Sequence, residues 1–158
     1  MSETIESTDL AEEQEKLKDE KYLVFSILGR QFSFPSRLIS EIALFDTLYP
    51  LPLLPPYIPG IINRYSITYA LFDVGLLLFK EESPRSKVLV VKDEVDRIAF
   101  LIDDVIGIAG VVPEEILKVE PGAESNDKIV SSSFSWNGGD VLVLDVRQIL
   151  ACVTEEAV

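Results

Sequence analysis

The chain has no histidine and only one cysteine, Cys152. Without an imidazole there is no histidine base, no histidine metal ligand and no serine–histidine nucleophile pair. One cysteine builds neither an internal disulfide nor a cysteine-rich metal site. No basic activator adjoins Cys152, so it reads as a packing residue rather than a nucleophile. Positive charge is scarce as well: 14 Lys and Arg stand against 27 Asp and Glu, a net charge of −13. Such a chain repels phosphate backbones, and its cations are scattered rather than gathered into a patch, which excludes nucleic acid as an expected partner. An anionic membrane surface is disfavoured for the same reason. No apolar run reaches the roughly 18 to 20 residues that span a bilayer. The N-terminus is acidic from Glu3 onward, unlike a secretory signal. The cytoplasm is the expected compartment.

What is present is apolar side chain: 47% of 158 residues. That length fits one domain, or two small subdomains sharing a core, and allows roughly 70% of the unfolded surface to be buried. Residues 1–20 are acidic and lack aromatics, so they are expected to be a disordered tail; weak docking of that tail on a basic partner is the alternative. The folded domain is expected over residues 21–153, followed by a short acidic tail over 154–158.

Tyr22 to Leu28 is rich in β-branched and aromatic residues, and a turn at Gly29-Arg30 leads back through Phe32 and Phe34. A helical turn at Pro35 to Ser40 and a strand at Glu41 to Leu44 follow. Leu48 to Pro59 holds five prolines. Proline fixes φ and removes a donor, so this segment is expected to be a stiff extended loop. Ser66 to Phe72 reads as a strand, and Asp73 is placed to cap a short, buried helix through Phe79. Strands are expected at Lys87 to Val91, Arg97 to Ile102 and Val105 to Val112, the last bent near Gly107 or Gly110. Pro113 to Glu115 starts one helical turn, and Gly122 to Lys128 reads as a flexible loop. Ile129 to Trp136 and Val141 to Leu144 pair across Asn137-Gly138-Gly139. Asp145, with Gln148 three residues on, resembles a capping box opening a helix through Cys152. Eight to ten short strands with brief helices make an all-β sandwich or barrel.

Candidate chemistry is thin. Asp103 and Asp104 are neighbours on a strand, so their side chains point to opposite faces and share no proton. Glu114 and Glu115 open a helical turn, where negative charge is favoured anyway. Asp93, Glu94 and Asp96 crowd one turn but lack the ligand spacing and glycine of a calcium loop, so a solvated turn is expected. Trp136 could stack on a base only if the charge were favourable, and it reads instead as cover for a barrel end. No cofactor is implied.

The most distinctive segment, Leu54 to Asp73, reads LPPYIPGIINRYSITYALFD. Its Pro56, Gly60, Ile61, Ile62, Asn63 and Asp73 resemble the signature of the CheW family, the coupling proteins of bacterial chemotaxis. The family's arginine falls on Tyr65, its glycine on Ser66 and its strand proline on Ala70. The resemblance extends over Tyr22 to Val153, through the opening strand, Asp103-Asp104-Val105 and Leu142 to Leu150. It implies two small five-stranded β-barrels packed side by side. It implies a non-catalytic adaptor that couples the cytoplasmic tips of chemoreceptors to the regulatory domain of the histidine kinase CheA, and that also meets other CheW-like proteins. Carried over, Ile39 and Glu41 match kinase-facing positions and Gly60 the loop beside them. Asn63 and Tyr65 match the motif by the receptor-facing groove, and Phe100 and Ile102 a strand of the second barrel. The alternative within the family is a divergent form that binds one partner or serves another motility pathway. A small-ligand or enzymatic barrel and an assembly subunit outside signalling are the other classes.

Overall fold

The structure, a computed structural model, describes residues 19–82, 86–92, 96–119 and 128–157. Strands β1 (Glu20–Ile27) and β2 (Arg30–Pro35) form a hairpin that turns at Leu28-Gly29. The chain then leaves to build a separate five-stranded sheet from β3 (Ile39–Leu44), β4 (Gly60–Arg64), β5 (Ile67–Asp73), β6 (Lys87–Val91) and β7 (Ile98–Ile102), in the order β3-β6-β7-β5-β4. It returns through β8 (Asp104–Val111), β9 (Leu117–Lys118), β10 (Val130–Trp136) and β11 (Gly139–Leu144). These complete a six-stranded sheet in the order β8-β1-β2-β11-β10-β9. Helix α1 (Val74–Phe79) follows β5, and α2 (Val146–Ala157) follows β11. The all-β architecture expected from the sequence is therefore present, as two sheets. The first sheet has a sixth strand, the two-residue β9, and among the described residues no backbone ladder closes either sheet into a ring.

Three apolar clusters explain why two sheets stay together. Tyr22 and Val24 of β1 join Ala109, Val111, Phe134, Val141 and Val143 inside the first sheet. Ile62, Leu71, Val88, Val90, Ala99 and Leu101 fill the second. The intervening residues of the same strands, among them Leu23, Phe25, Ile27, Phe72, Phe100 and Ile102, make a larger third cluster shared by both. Successive strand side chains alternate between faces, so a strand such as β1 or β7 that is apolar at nearly every position is buried on both. That settles Phe100 and Ile102. Both are fully buried in the shared core, and Phe100 lies with its ring centroid 4.9 Å from that of Phe34 and 5.8 Å from that of Phe72. They are packing residues with no surface to offer a partner, which corrects their placement among contact residues.

The local signals act as their chemistry requires. Buried Asp73 accepts a hydrogen bond from the Leu76 amide at 3.1 Å and caps α1. The bend in β8 falls opposite a register shift between Val24 and Phe25, and Trp136 packs against Gly107. Asp145 accepts from the amides of Arg147 and Gln148 at 2.9 and 3.3 Å. Its own amide donates to the Ile129 carbonyl at 2.7 Å, so the reciprocal half of a capping box is not formed. Helix α2 runs on to Ala157, past the expected end at Cys152. The acidic segment 1–18, Asp93 and Glu94, and most of the Gly122 to Lys128 loop lie outside the described residues.

Candidate docking face at the mouth of the second sheet

Strand β3 carries an irregularity that sorts its side chains. Ile39 pairs with Val91 and Glu41 with Val90, leaving Ser40 as the extra residue of a bulge. Ile39 thereby packs, half-buried, against the shared core. Beyond the bulge, Glu41 and Ala43 share one face, while Ile42 and Leu44 stand on the other and are 46% and 75% exposed.

After β3 the chain reaches Tyr49, which exchanges two backbone hydrogen bonds with Ile61, both 2.9 Å. Gly60 makes this close approach possible. A Cβ there would collide with the Tyr49 carbonyl oxygen and lie 2.9 Å from Pro50 Cα. Gly60 is itself buried, so it shapes the loop rather than touching a partner. Between this bridge and buried Tyr57 and Ile58, the prolines hold Leu51, Leu53 and Leu54 out in solvent. The Asp73 amide donates to the Tyr57 carbonyl at 2.7 Å and ties down the far end of the loop.

The β4–β5 turn presents Tyr65, 83% exposed, with Ser66 beside it. Their φ angles are +51° and +65°. A two-residue hairpin turn favours this mirror-image conformation because it matches strand twist. Neither residue is glycine, so each is held in a region that costs about 1–2 kcal/mol for an L-residue.

Arg64 and Glu41 form an ion pair across the mouth of the second sheet. The hydrogen bond from Arg64 to Glu41 is the main reason its guanidinium is held even more firmly protonated than usual. Its Cζ also lies 5.1 Å from the ring centroid of Tyr65. A cavity of about 380 Å³ opens here, lined by Leu44, Tyr49, Asn63, Arg64, Tyr65 and Ser66 among others. Asn63 is exposed at its rim. Glu41, Asn63 and Tyr65 are thus brought to one mouth, although the resemblance assigned them to two different partners. A second cavity, about 740 Å³, lies between the sheets and is lined by Tyr22, Arg37, Val91, Lys92 and Arg147 among others. Asn63 and Tyr65 do not line it.

The neighbouring carboxylates do structural work. Asp103 accepts from the Leu28 amide at 2.8 Å and pins the first hairpin. Asp104 meets Lys87, and that hydrogen bond chiefly holds its carboxyl below the usual carboxylate range. Among the described residues no group of three His, Cys, Asp or Glu side chains could hold a metal ion, and no helix is long and apolar enough to cross a membrane. What the mouth offers is contact surface: exposed apolar side chains around one internally neutralised charge pair.

A family model described as the CheW-like domain matches residues 21–153. The chain belongs to this family. The fold agrees with a solved structure, the scaffolding protein TtCheW from Thermoanaerobacter tengcongensis. The two align with a TM-score of 0.73 at 16% identity, over 81% of this chain and 85% of that one. No curated protein sequence matches the chain. Within this CheW-like chain, sequence reasoning missed Arg64, Ile42, Leu44 and Tyr49. A signal for two of them was present. Strand β3 reads Ile-Ser-Glu-Ile-Ala-Leu, and its alternation puts Ile42 and Leu44 together on the face opposite Glu41 and Ala43.

Proposed function

We propose that this protein is a non-catalytic chemotaxis adaptor that holds the CheA regulatory domain against the cytoplasmic tips of chemoreceptors. The observation that carries this reading is the CheW-like match over residues 21–153, nearly the whole described fold. The exposed side chains at the mouth of the second sheet, which the three cores leave unused, support it. Binding is then the entire mechanism. An adaptor that fits one state of the kinase better than another shifts its equilibrium by that difference in affinity, and receptor and kinase influence each other through it. Glu41, Asn63 and Tyr65 sit where a partner would touch. Ile39 and Gly60 support that face from beneath, and the cavity between the sheets is a candidate second contact. The cytoplasm is the compartment where these partners meet.

A second reading has its own observation. The family's arginine is replaced by Tyr65, and the neighbouring Arg64 is engaged with Glu41. A guanidinium binds a carboxylate through two parallel hydrogen bonds, which a phenol cannot do. This favours a divergent adaptor that has kept one partner and weakened the other, or that serves another motility pathway. Pairwise pull-downs with the kinase regulatory domain and a receptor-tip fragment separate the two. The standard role requires both to bind at micromolar concentration, the divergent role one, and binding of neither overturns the adaptor reading. Tyr65→Arg should tighten the weaker partner; unchanged affinities for both would show that this position has left the interface.

A further inference from the structure

Strands β3 and β4 are the two edges of the second sheet, and among the described residues no backbone hydrogen bond joins them. The pairing parity shows where their free groups point. The Phe45 amide donates to Ser86 at 3.0 Å, and Ala43 lies opposite Val88, so these positions bond toward β6. In an antiparallel ladder the alternate residues, Ile42 and Leu44, direct their N–H and C=O groups away from it. On β4, Ile61 bonds outward to Tyr49, so Asn63, two residues on, directs its backbone the same way. Both edges therefore flank the 380 Å³ cavity. The Tyr49–Ile61 bridge bounds it at one end and the Glu41–Arg64 pair at the other. Two edges separated by one missing strand stand about 10 Å apart, twice the interstrand spacing. A glutamate and an arginine meeting end to end suit such a gap, where two paired strands would not need them. Arg64 adds a buried Nε without an acceptor.

We infer that this gap is a strand-addition site: it receives an extended, uncharged segment of the partner protein, which hydrogen-bonds to Leu44 on one side and Asn63 on the other. Main-chain bonding supplies affinity in such sites and alternate side chains supply selection. One face of the added segment would meet Ile62 and Val88 and calls for an apolar side chain. Arg64 already offsets Glu41, so the segment needs no counter-charge, and the Arg64 Nε is available to a carbonyl oxygen. This inference rests on the adaptor reading, since the kinase regulatory domain is the probe.

The test is amide hydrogen exchange on the full chain, free and with saturating kinase regulatory domain. The Leu44 and Asn63 amides should exchange rapidly in the free chain and slow by about tenfold in the complex, the protection one added hydrogen bond confers. A complex in which both stay fast overturns the inference and leaves the adaptor reading intact. Amides already slow in the free chain overturn it too, because the gap is then filled or closed. Absence of a complex with the kinase domain overturns the inference, and the adaptor reading falls with it only if the receptor-tip fragment also fails to bind. Leu44→Pro removes only an edge donor, which an edge strand tolerates. It should weaken binding more than Leu44→Ala; equal effects would reduce Leu44 to its side chain and refute strand addition.

Discussion

Gly60→Ala tests whether the proline loop is held where the docking face needs it. The added Cβ has no room: it meets the Tyr49 carbonyl oxygen and Pro50 Cα, both main-chain atoms that cannot rotate away. Relief requires the Tyr49 strand to retreat, which breaks its two hydrogen bonds with Ile61. A net 0.5–1.5 kcal/mol for each gives a loss of about 1–3 kcal/mol. A domain of this size is stable by about 5–15 kcal/mol, so the variant should still fold. Neither Tyr49 nor Ile61 is a member of the three apolar clusters, so the unfolding should stay cooperative. Urea titration should show a lower midpoint with unchanged slope. The Ile61 amide should lose exchange protection, and partner binding should weaken because Leu51, Leu53 and Leu54 lose their fixed station. A stability change below about 0.3 kcal/mol with Ile61 still protected would refute the reasoning, since so small a loss is less than one hydrogen bond.

Ser66→Gly relieves one of the two strained turn residues and should stabilise the chain by about 1 kcal/mol, seen as a rise in melting temperature of about 2–4 °C. Phe100→Ala empties the shared core and should cost about 3–5 kcal/mol in a urea titration; a cost near zero would return Phe100 to the surface. Tyr22 has its pKa raised, first by burial and then by Glu20. A folded-state pKa above the unfolded value means that this stability is complete below about pH 10 and is lost as pH rises through the folded value. Tyr22→Phe should therefore flatten the alkaline fall in stability above about pH 10, measured by thermal melts across pH.

The elements with local causes were legible in the sequence. The Asn137-Gly138 hairpin, the Asp73 cap and the proline loop each follow from what a few adjacent residues can and cannot do. The sorting of Ile39 from Glu41 was not legible, because it depends on a bulge that only pairing with β6 creates. Phe100 and Ile102 were misplaced for a related reason. A short apolar strand reads the same at a surface and in a core, and only the two apolar clusters on its opposite faces, one holding Phe100 and Ile102 and the other Ala99 and Leu101, bury it on both. Arg64 escaped notice because its partner, Glu41, lies 23 residues away and meets it only across the sheet mouth. Gly60 was recognised as a motif residue, and the structure supplies its physical cause.

The central claim is that this chain works by joining two neighbours. Sedimentation velocity of the kinase regulatory domain and a receptor-tip fragment, with and without the chain, measures that directly. A species containing all three, absent when the chain is omitted, is the expected result. Kinase domain and receptor fragment sedimenting alone in its presence would contradict it.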